Sequence, residues 1–283
     1  MVTSNGYVLD ETSRRLGGLE PVPDAQRRDR DALWERLRRD GYLFLPRQLS
    51  PDHVLAFRRY YFAQMSSTGL VRPGSDPVEG LQSAGDVDRA MLRHQLFSQI
   101  VPSDEYRRFC AQPEIRGFFS WLLGDEVHLH RRKIIRHTRP GEFGIGTATQ
   151  AHYDLVYLRE GTDRVLSIWI PLGDCPISRG GLAYLEGSHH QVLADEARDR
   201  LPRPARSITA DLPGLADDHD ARWLITDYRA GDVVVHSAHI VHAALDNVDP
   251  NGVMRLSTDI RYQRSTDPID WRWQDHWTDS DGL

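Results

Sequence analysis

The chain has 283 residues, 40% hydrophobic and 27% charged, with 35 basic against 41 acidic side chains. A chain of this length buries a sizeable core unaided, and its two cysteines, Cys110 and Cys175, are too few for a disulfide framework. The net charge of −6 argues against nucleic acid as a partner, and no apolar run reaches the roughly 18 residues of a membrane span. With no signal-peptide core in residues 1–23, a cytoplasmic protein with free thiols is expected.

Residues 1–23 are polar and irregular, so disorder in part is expected there, while residues 24–283 read as a single domain. From 24 to 40 the spacing predicts a helix, with Leu33, Trp34 and Leu37 at helical intervals and Gly41 as its stop. Residues 42–45 form a short apolar run typical of a buried strand. Ser50-Pro51 opens a second helix carrying Val54, Phe57, Tyr60, Tyr61 and Met65. Residues 67–90, rich in Gly, Ser, Asp and Pro, predict a loop. Short helices are expected over 103–111 and 113–123, the second ending at Gly124. The texture then changes. Residues 128–137, 165–171, 182–186, 223–228, 232–236, 240–245 and 256–262 read as strands, separated by Gly, Pro and Asp turns. Helices followed by short strands predict a mainly β fold, a sandwich or jelly roll braced by helices, with core strands over about 127–265. One long polar excursion, 189–222, interrupts the strands and is expected to act as a lid.

Three features carry chemistry. His152-Tyr153-Asp154 is His-x-Asp, and in a strand residues i and i+2 share a face, so His152 and Asp154 can grip one metal. Taken alone the tripeptide is a weak signal, because it is common by chance. The stretch 231–242 adds His236, His239 and His242, one of which would complete a set of two histidines and one carboxylate. That set leaves one side of a metal open, as in non-haem iron oxygenases, although three-ligand zinc sites look similar in sequence. Arg255 and Ser257 lie just beyond, on one face of the next strand. An arginine fork there suits the far carboxylate of a dicarboxylate cosubstrate, with Ser257 adding a hydrogen bond.

In order along the chain stand Gly41-Tyr42-Leu43-Phe44-Leu45, His152-x-Asp154, Trp169-Ile170-Pro171-Leu172, Gly180-Gly181-Leu182 and Glu186-Gly187-Ser188-His189, then Gly231-Asp232, His242, Asn247 and Arg255-x-Ser257. Over about residues 40–265 this series resembles the phytanoyl-CoA dioxygenase family of iron(II)/2-oxoglutarate oxygenases, in particular bacterial members that hydroxylate natural products. The resemblance implies a double-stranded β-helix, the cupin-like jelly roll. It implies His152, Asp154 and His242 as metal ligands, with Arg255 anchoring 2-oxoglutarate. Iron(II), 2-oxoglutarate and O₂ would then oxidise a small molecule, most simply by hydroxylation, releasing succinate and CO₂. Counting from Gly231-Asp232 selects His242; His236 is left to orient a ligand, and His189 and His190 to structure. Ala243-Ala244 departs from the Gly-Ser that many relatives carry, which removes one expected cosubstrate contact. Arg136 is a further candidate for an acidic group on substrate or cosubstrate, and Trp169 for a pocket wall. Two other readings stay open at this point: a zinc or manganese cupin-like enzyme without a cosubstrate, and a non-catalytic small-molecule binding protein on the same fold.

Overall fold

The computed structural model describes residues 1–202 and 205–278. Its first helix, Arg30–Asp40, begins where the Asp29 carboxylate accepts the Ala32 N–H, and Asp24–Gln26 is a separate 3-10 turn. The expected helix from 24 is therefore split, because Asp29 takes extended backbone to act as the cap. Gly41 ends it with φ at 79°, and a Cβ there would meet the His189 ring and Ile240 at 2.9 Å. Helices Pro51–Met65, Asp104–Cys110 and Pro113–Leu123 follow as expected. The stretch 67–90 is not all loop. It leads into a helix, Arg89–His94, continued by a π-helical turn, Gln95–Ile100, that buries Leu96 and Ile100.

The strands are β1 (Thr3–Ser4), β2 (Tyr7–Val8), β3 (Leu16–Gly18), β4 (Tyr42–Leu45), β5 (Val127–Leu129), β6 (Ile134–Thr138), β7 (Leu166–Pro171), β8 (Leu182–Leu185), β9 (Trp223–Ile225), β10 (Val233–Ser237), β11 (His242–Ala244) and β12 (Arg255–Arg264). The run expected over 128–137 is thus two strands. One sheet has the order β4-β10-β7-β12-β5, with β6 also on β12; a second has β11-β8-β9-β3. The two face each other, with Tyr42 stacked on Tyr184 at 5.7 Å between ring centres.

Alternation explains why these strands read as continuous apolar runs: both faces are buried. Leu43 and Leu45 of β4, Ile168 and Ile170 of β7, and Val233 and Val235 of β10 pack with the helices. Their neighbours Tyr42, Phe44, Trp169 and Val234 pack between the sheets. In β12 the same split is chemical. Leu256, Ile260 and Tyr262 join the helix-side core, which leaves Arg255, Ser257, Asp259 and Arg261 to the lumen. The result is a mainly β jelly roll with flanking helices, and its polar contents lie inside the roll.

Residues 1–23 are not a free tail. Asp246 accepts the Asn5 and Gly6 N–H groups at 2.8 and 3.0 Å, Ser4 donates to Ala244 O, and Leu9, Leu19 and Val22 are buried. Polar composition misled here because the partners lie some 240 residues away in the chain. The excursion 189–222 is partly helical, through Ser188–Glu196 and Leu212–Asp218. It returns beside the metal-ligand segment: the Ala151 N–H donates to Thr209 O at 2.9 Å, and the Ile208 N–H to Ala151 O at 2.7 Å. Residues 203 and 204 of it lie outside the described residues.

Two core histidines give stability a pH dependence. Burial pushes His130 and His137 each down to about 4. Their rings already have partners, Gln263 Oε1 at 2.8 Å and the Tyr61 hydroxyl at 2.6 Å. An unfolded chain takes up these protons from about pH 6.5 downward, the folded one only near 4. Their contribution to stability is therefore full above pH 6.5 and lost as pH falls towards 4. Thermal denaturation in stepped buffers is expected to show the midpoint falling through this window; a constant midpoint from 6.5 to 4.5 would contradict it.

Candidate active site

His152 and His242 face each other in an antiparallel bridge. The His152 N–H donates to His242 O at 3.0 Å and the His242 N–H to His152 O at 2.9 Å. Residues paired in this way carry their side chains on one side of the ladder, and the two rings lie 4.3 Å apart. Each ring is tethered through Nδ1, to Gln150 O at 2.8 Å and to Ile240 O at 3.1 Å. A backbone carbonyl accepts only from N–H, so the proton sits on Nδ1 and the Nε2 lone pair faces the cavity. Burial pushes both imidazoles down, His242 well below its ordinary value, with Asp154 opposing the shift in each. Neutral rings with free Nε2 atoms are what a metal requires.

Asp154 reaches the same point by a different route from the one its sequence spacing suggests. It is not in a strand. Its φ of −67° and ψ of −33° are helical, and it opens the short helix Leu155–Leu158. That turn still brings Oδ1 to 3.9 Å from His152 Nε2, and the three ligand atoms of His152, Asp154 and His242 lie within 4.8 Å of one another. Burial would raise the Asp154 carboxyl, but Arg261 beside it and the nearby His236 and His242 rings hold it well below the usual carboxylate range. Arg261 donates to Oδ1 at 2.8 Å, Ser167 donates to Oδ2, and His236 Nε2 lies 3.4 Å from Oδ2. The donor set is two neutral nitrogens and one ionised carboxylate on one wall of a cavity, which fits a divalent metal.

Two adjoining chambers open from these ligands. The smaller, about 70 Å³, is lined by His152, His242, Trp169, Arg255, Ser257, Asp259 and Arg261 among others. The larger, about 270 Å³, is lined by His152, Asp154, Tyr157, Ser207, Arg132 and Trp273 among others. Arg136 lines both. Arg255 is buried and donates to two hydroxyls, Thr138 Oγ1 at 3.2 Å and Ser257 Oγ at 3.3 Å; it has no carboxylate partner among the described residues. Ser257 and Arg136 sit opposite each other in the β12–β6 register.

The other histidines take lesser places. His236 stays in the core with its Nδ1 on the Tyr184 hydroxyl at 3.1 Å. His239 turns away to Glu196 at 2.8 Å, and His189 Nε2 binds Arg38 O. Asn247 donates to Thr138 O and Val253 O, which ties the turn before β12 to β6. Gly180, φ 78°, packs against this turn so closely that a Cβ would lie 2.4 Å from Leu245 O. Sequence reasoning missed Asp259, the place of Arg261 beside Asp154, and Trp273. Arg261 is fully buried between Asp154 and Asp259, and its guanidinium lies 4.8 Å from the Trp273 ring centre. The two carboxylates outweigh the burial that would lower it and hold its pKa up. The signal for the first two was present in the alternation Arg255-x-Ser257-x-Asp259-x-Arg261.

Comparison with known proteins agrees with this architecture. The ectoine dioxygenase of Stutzerimonas stutzeri is 24% identical over 79% of this chain and 74% of its own length. The 1-deoxypentalenic acid 11-beta-hydroxylase of Streptomyces exfoliatus is 26% identical over 83% and 81%. Among solved structures, the epimerase SnoN in complex with Fe³⁺, α-ketoglutarate and nogalamycin RO superposes with a TM-score of 0.57 at 24% identity, covering 85% of each chain. EctD from S. alaskensis, with 2-oxoglutarate and 5-hydroxyectoine, gives 0.57 at 18% identity over 93% and 88%. These likenesses establish the jelly-roll fold. The family profile described as phytanoyl-CoA dioxygenase matches residues 37–252, about three-quarters of the sequence. The chain belongs to the phytanoyl-CoA dioxygenase family, the iron(II)/2-oxoglutarate oxygenases that its motifs resemble.

Proposed function

We propose that this dioxygenase hydroxylates a C–H bond of a small molecule at a metal held by His152, Asp154 and His242, with Arg255 and Ser257 anchoring the cosubstrate. Its cofactors are iron(II), 2-oxoglutarate and O₂. One observation supports the residue assignment most: a tethered, neutral histidine pair, an ionised carboxylate and a buried arginine without a carboxylate partner all line one cavity. A buried cation is costly unless an anion meets it, and the far carboxylate of 2-oxoglutarate is such an anion. When bound, iron and 2-oxoglutarate supply the oxidising chemistry that breaks the C–H bond, with succinate and CO₂ as by-products.

The protein's own residues do the rest. The carbonyls of Gln150 and Ile240 fix the imidazole tautomers, and Arg261, Ser167 and His236 fix the carboxylate. Trp169 walls the smaller chamber. The relatives act on ectoine and on 1-deoxypentalenic acid by name, and a small, compact substrate fits the larger chamber here. Succinate formation from 2-oxoglutarate, measured with candidate substrates, tests the reading. Formation that rises with substrate supports it; oxidation with no 2-oxoglutarate requirement would favour a cosubstrate-free metalloenzyme.

We assign residues 189–222 as the cover over the larger chamber, since Ser207 lines it and 208–209 pair with Ala151. Shortening this segment is expected to change which substrates are accepted and to raise uncoupled succinate formation. If both stayed as in the intact protein, the cover would have no such role. The product is expected to gain oxygen, not halogen. Asp154 occupies the ligand position that a bound chloride would need, and its negative charge opposes a second anion on the metal. Mass spectrometry after turnover in excess chloride checks this; a chlorinated main product would refute it.

A further inference from the structure

Arg136 has features that the reading above does not use. Its side chain is solvent-accessible, and it lines both chambers. The guanidinium lies 5.5 Å from the Trp277 ring centre, and Trp277 in turn packs edge-on against Phe97 at 5.1 Å. Among the described residues it makes no hydrogen bond and no ion pair. Its N–H donors thus have no acceptor among the described residues.

The charge of the cavity leads the same way. Arg136, Arg255 and Arg261 face Asp154 and Asp259, which leaves one positive charge over. A divalent metal and a dicarboxylate cosubstrate cancel each other. The site with metal and cosubstrate bound therefore remains positive, and a low-dielectric cavity favours one more anion.

Resting on the iron(II)/2-oxoglutarate reading, we propose that the substrate is a compact molecule with a single carboxylate, and that Arg136 receives that carboxylate in the larger chamber. A planar fork matches a planar carboxylate through two hydrogen bonds, and Arg136 offers one such fork. The chamber, about 270 Å³, lies just below the roughly 300–1,000 Å³ of common ligand pockets, so the body of the molecule is small. Ile134, Tyr157 and Trp273 offer that body apolar and aromatic walls beside His152 and Asp154. Arg136 is thus a specificity residue, which fixes the substrate by its acid end and leaves its C–H bonds towards the ligands.

The test uses the anaerobic protein loaded with iron(II) and 2-oxoglutarate. Its visible charge-transfer absorption is followed while cyclic monocarboxylic acids, from cyclohexanecarboxylate to tricyclic acids, are titrated beside their primary amides. The best acid is expected to perturb the band at tenfold or more lower concentration than its amide. In Arg136→Gln protein this preference is expected to shrink to within about twofold, and Arg136→Lys is expected to recover part of it. The 2-oxoglutarate titration by the same band should stay within about threefold of wild type in both. Amides that act as well as acids, or no acid that perturbs the band, would overturn the proposal. So would a tenfold weaker 2-oxoglutarate titration in Arg136→Gln, which would move Arg136 to the cosubstrate. Absence of the charge-transfer band in the wild-type protein is a different failure, since it would remove the iron and 2-oxoglutarate reading itself.

Discussion

Replacing His152, Asp154 or His242 with alanine is expected to abolish iron-dependent turnover, by more than about 1,000-fold, which corresponds to about 4 kcal/mol or more of lost transition-state stabilisation. Each change removes one of three donor atoms that lie within 4.8 Å of one another. The fold should survive in the two histidine variants, because the His152–His242 bridge is made by backbone groups. Asp154→Ala is the harsher change, since it leaves Arg261 buried with Asp259 alone. Asp154→Asn is the gentler partner, as it keeps the volume and removes the charge. His239→Ala is the control: His239 binds Glu196, so turnover should stay near wild type. His236→Ala should cost roughly 10- to 100-fold, the usual range for a group that orients a ligand. Succinate release and metal content, measured together, check the series. Full turnover in His242→Ala with loss in His239→Ala would reassign the third ligand.

Arg255→Ala is expected to raise the 2-oxoglutarate requirement strongly while metal binding persists. Truncating one partner of a buried charge-assisted pair costs roughly 2–5 kcal/mol, or about 30-fold to several thousandfold in affinity. Arg255 holds only the Thr138 and Ser257 hydroxyls, so its removal leaves no orphaned carboxylate in the fold. Ser257→Ala should act in the same direction and less, since a neutral hydroxyl contributes about 1 kcal/mol. Calorimetric titration of the metal-loaded protein separates cosubstrate affinity from metal affinity. Unchanged 2-oxoglutarate binding in Arg255→Ala would reject the anchor assignment and turn attention to Arg261 and Arg136, which share its cavity.

Much of the fold was legible because local signals agreed with it. Gly41 and Gly124 stop helices where positive φ is needed, and the alternation of β4, β7 and β10 marks strands buried on both faces. The helix Arg89–His94 was not legible: it is short, it lacks buried residues of its own, and it runs into a π turn. Residues 1–23 looked free because their burial depends on Asp246 and Ala244, far along the chain.

The ligand triplet was readable from motif order, yet its geometry was not. His152 and Asp154 converge through a helical turn at Asp154, not through a shared strand face. Asp259 and Arg261 follow from extending the Arg255-x-Ser257 alternation along β12 by two more steps. Trp273 and Trp277 carry no such pattern. They reach Arg261 and Arg136 only because the chain after β12 folds back against these two side chains.

An anaerobic crystal structure of the protein with iron(II) and 2-oxoglutarate tests the central claim most directly. Nε2 of His152, Nε2 of His242 and a carboxylate oxygen of Asp154 are expected on the metal at roughly 2.0–2.2 Å. The far carboxylate of 2-oxoglutarate is expected on the Arg255 guanidinium with Ser257 beside it. A metal bound through His236 or His239, or a cosubstrate carboxylate held elsewhere with Arg255 still on its two hydroxyls, would contradict the account.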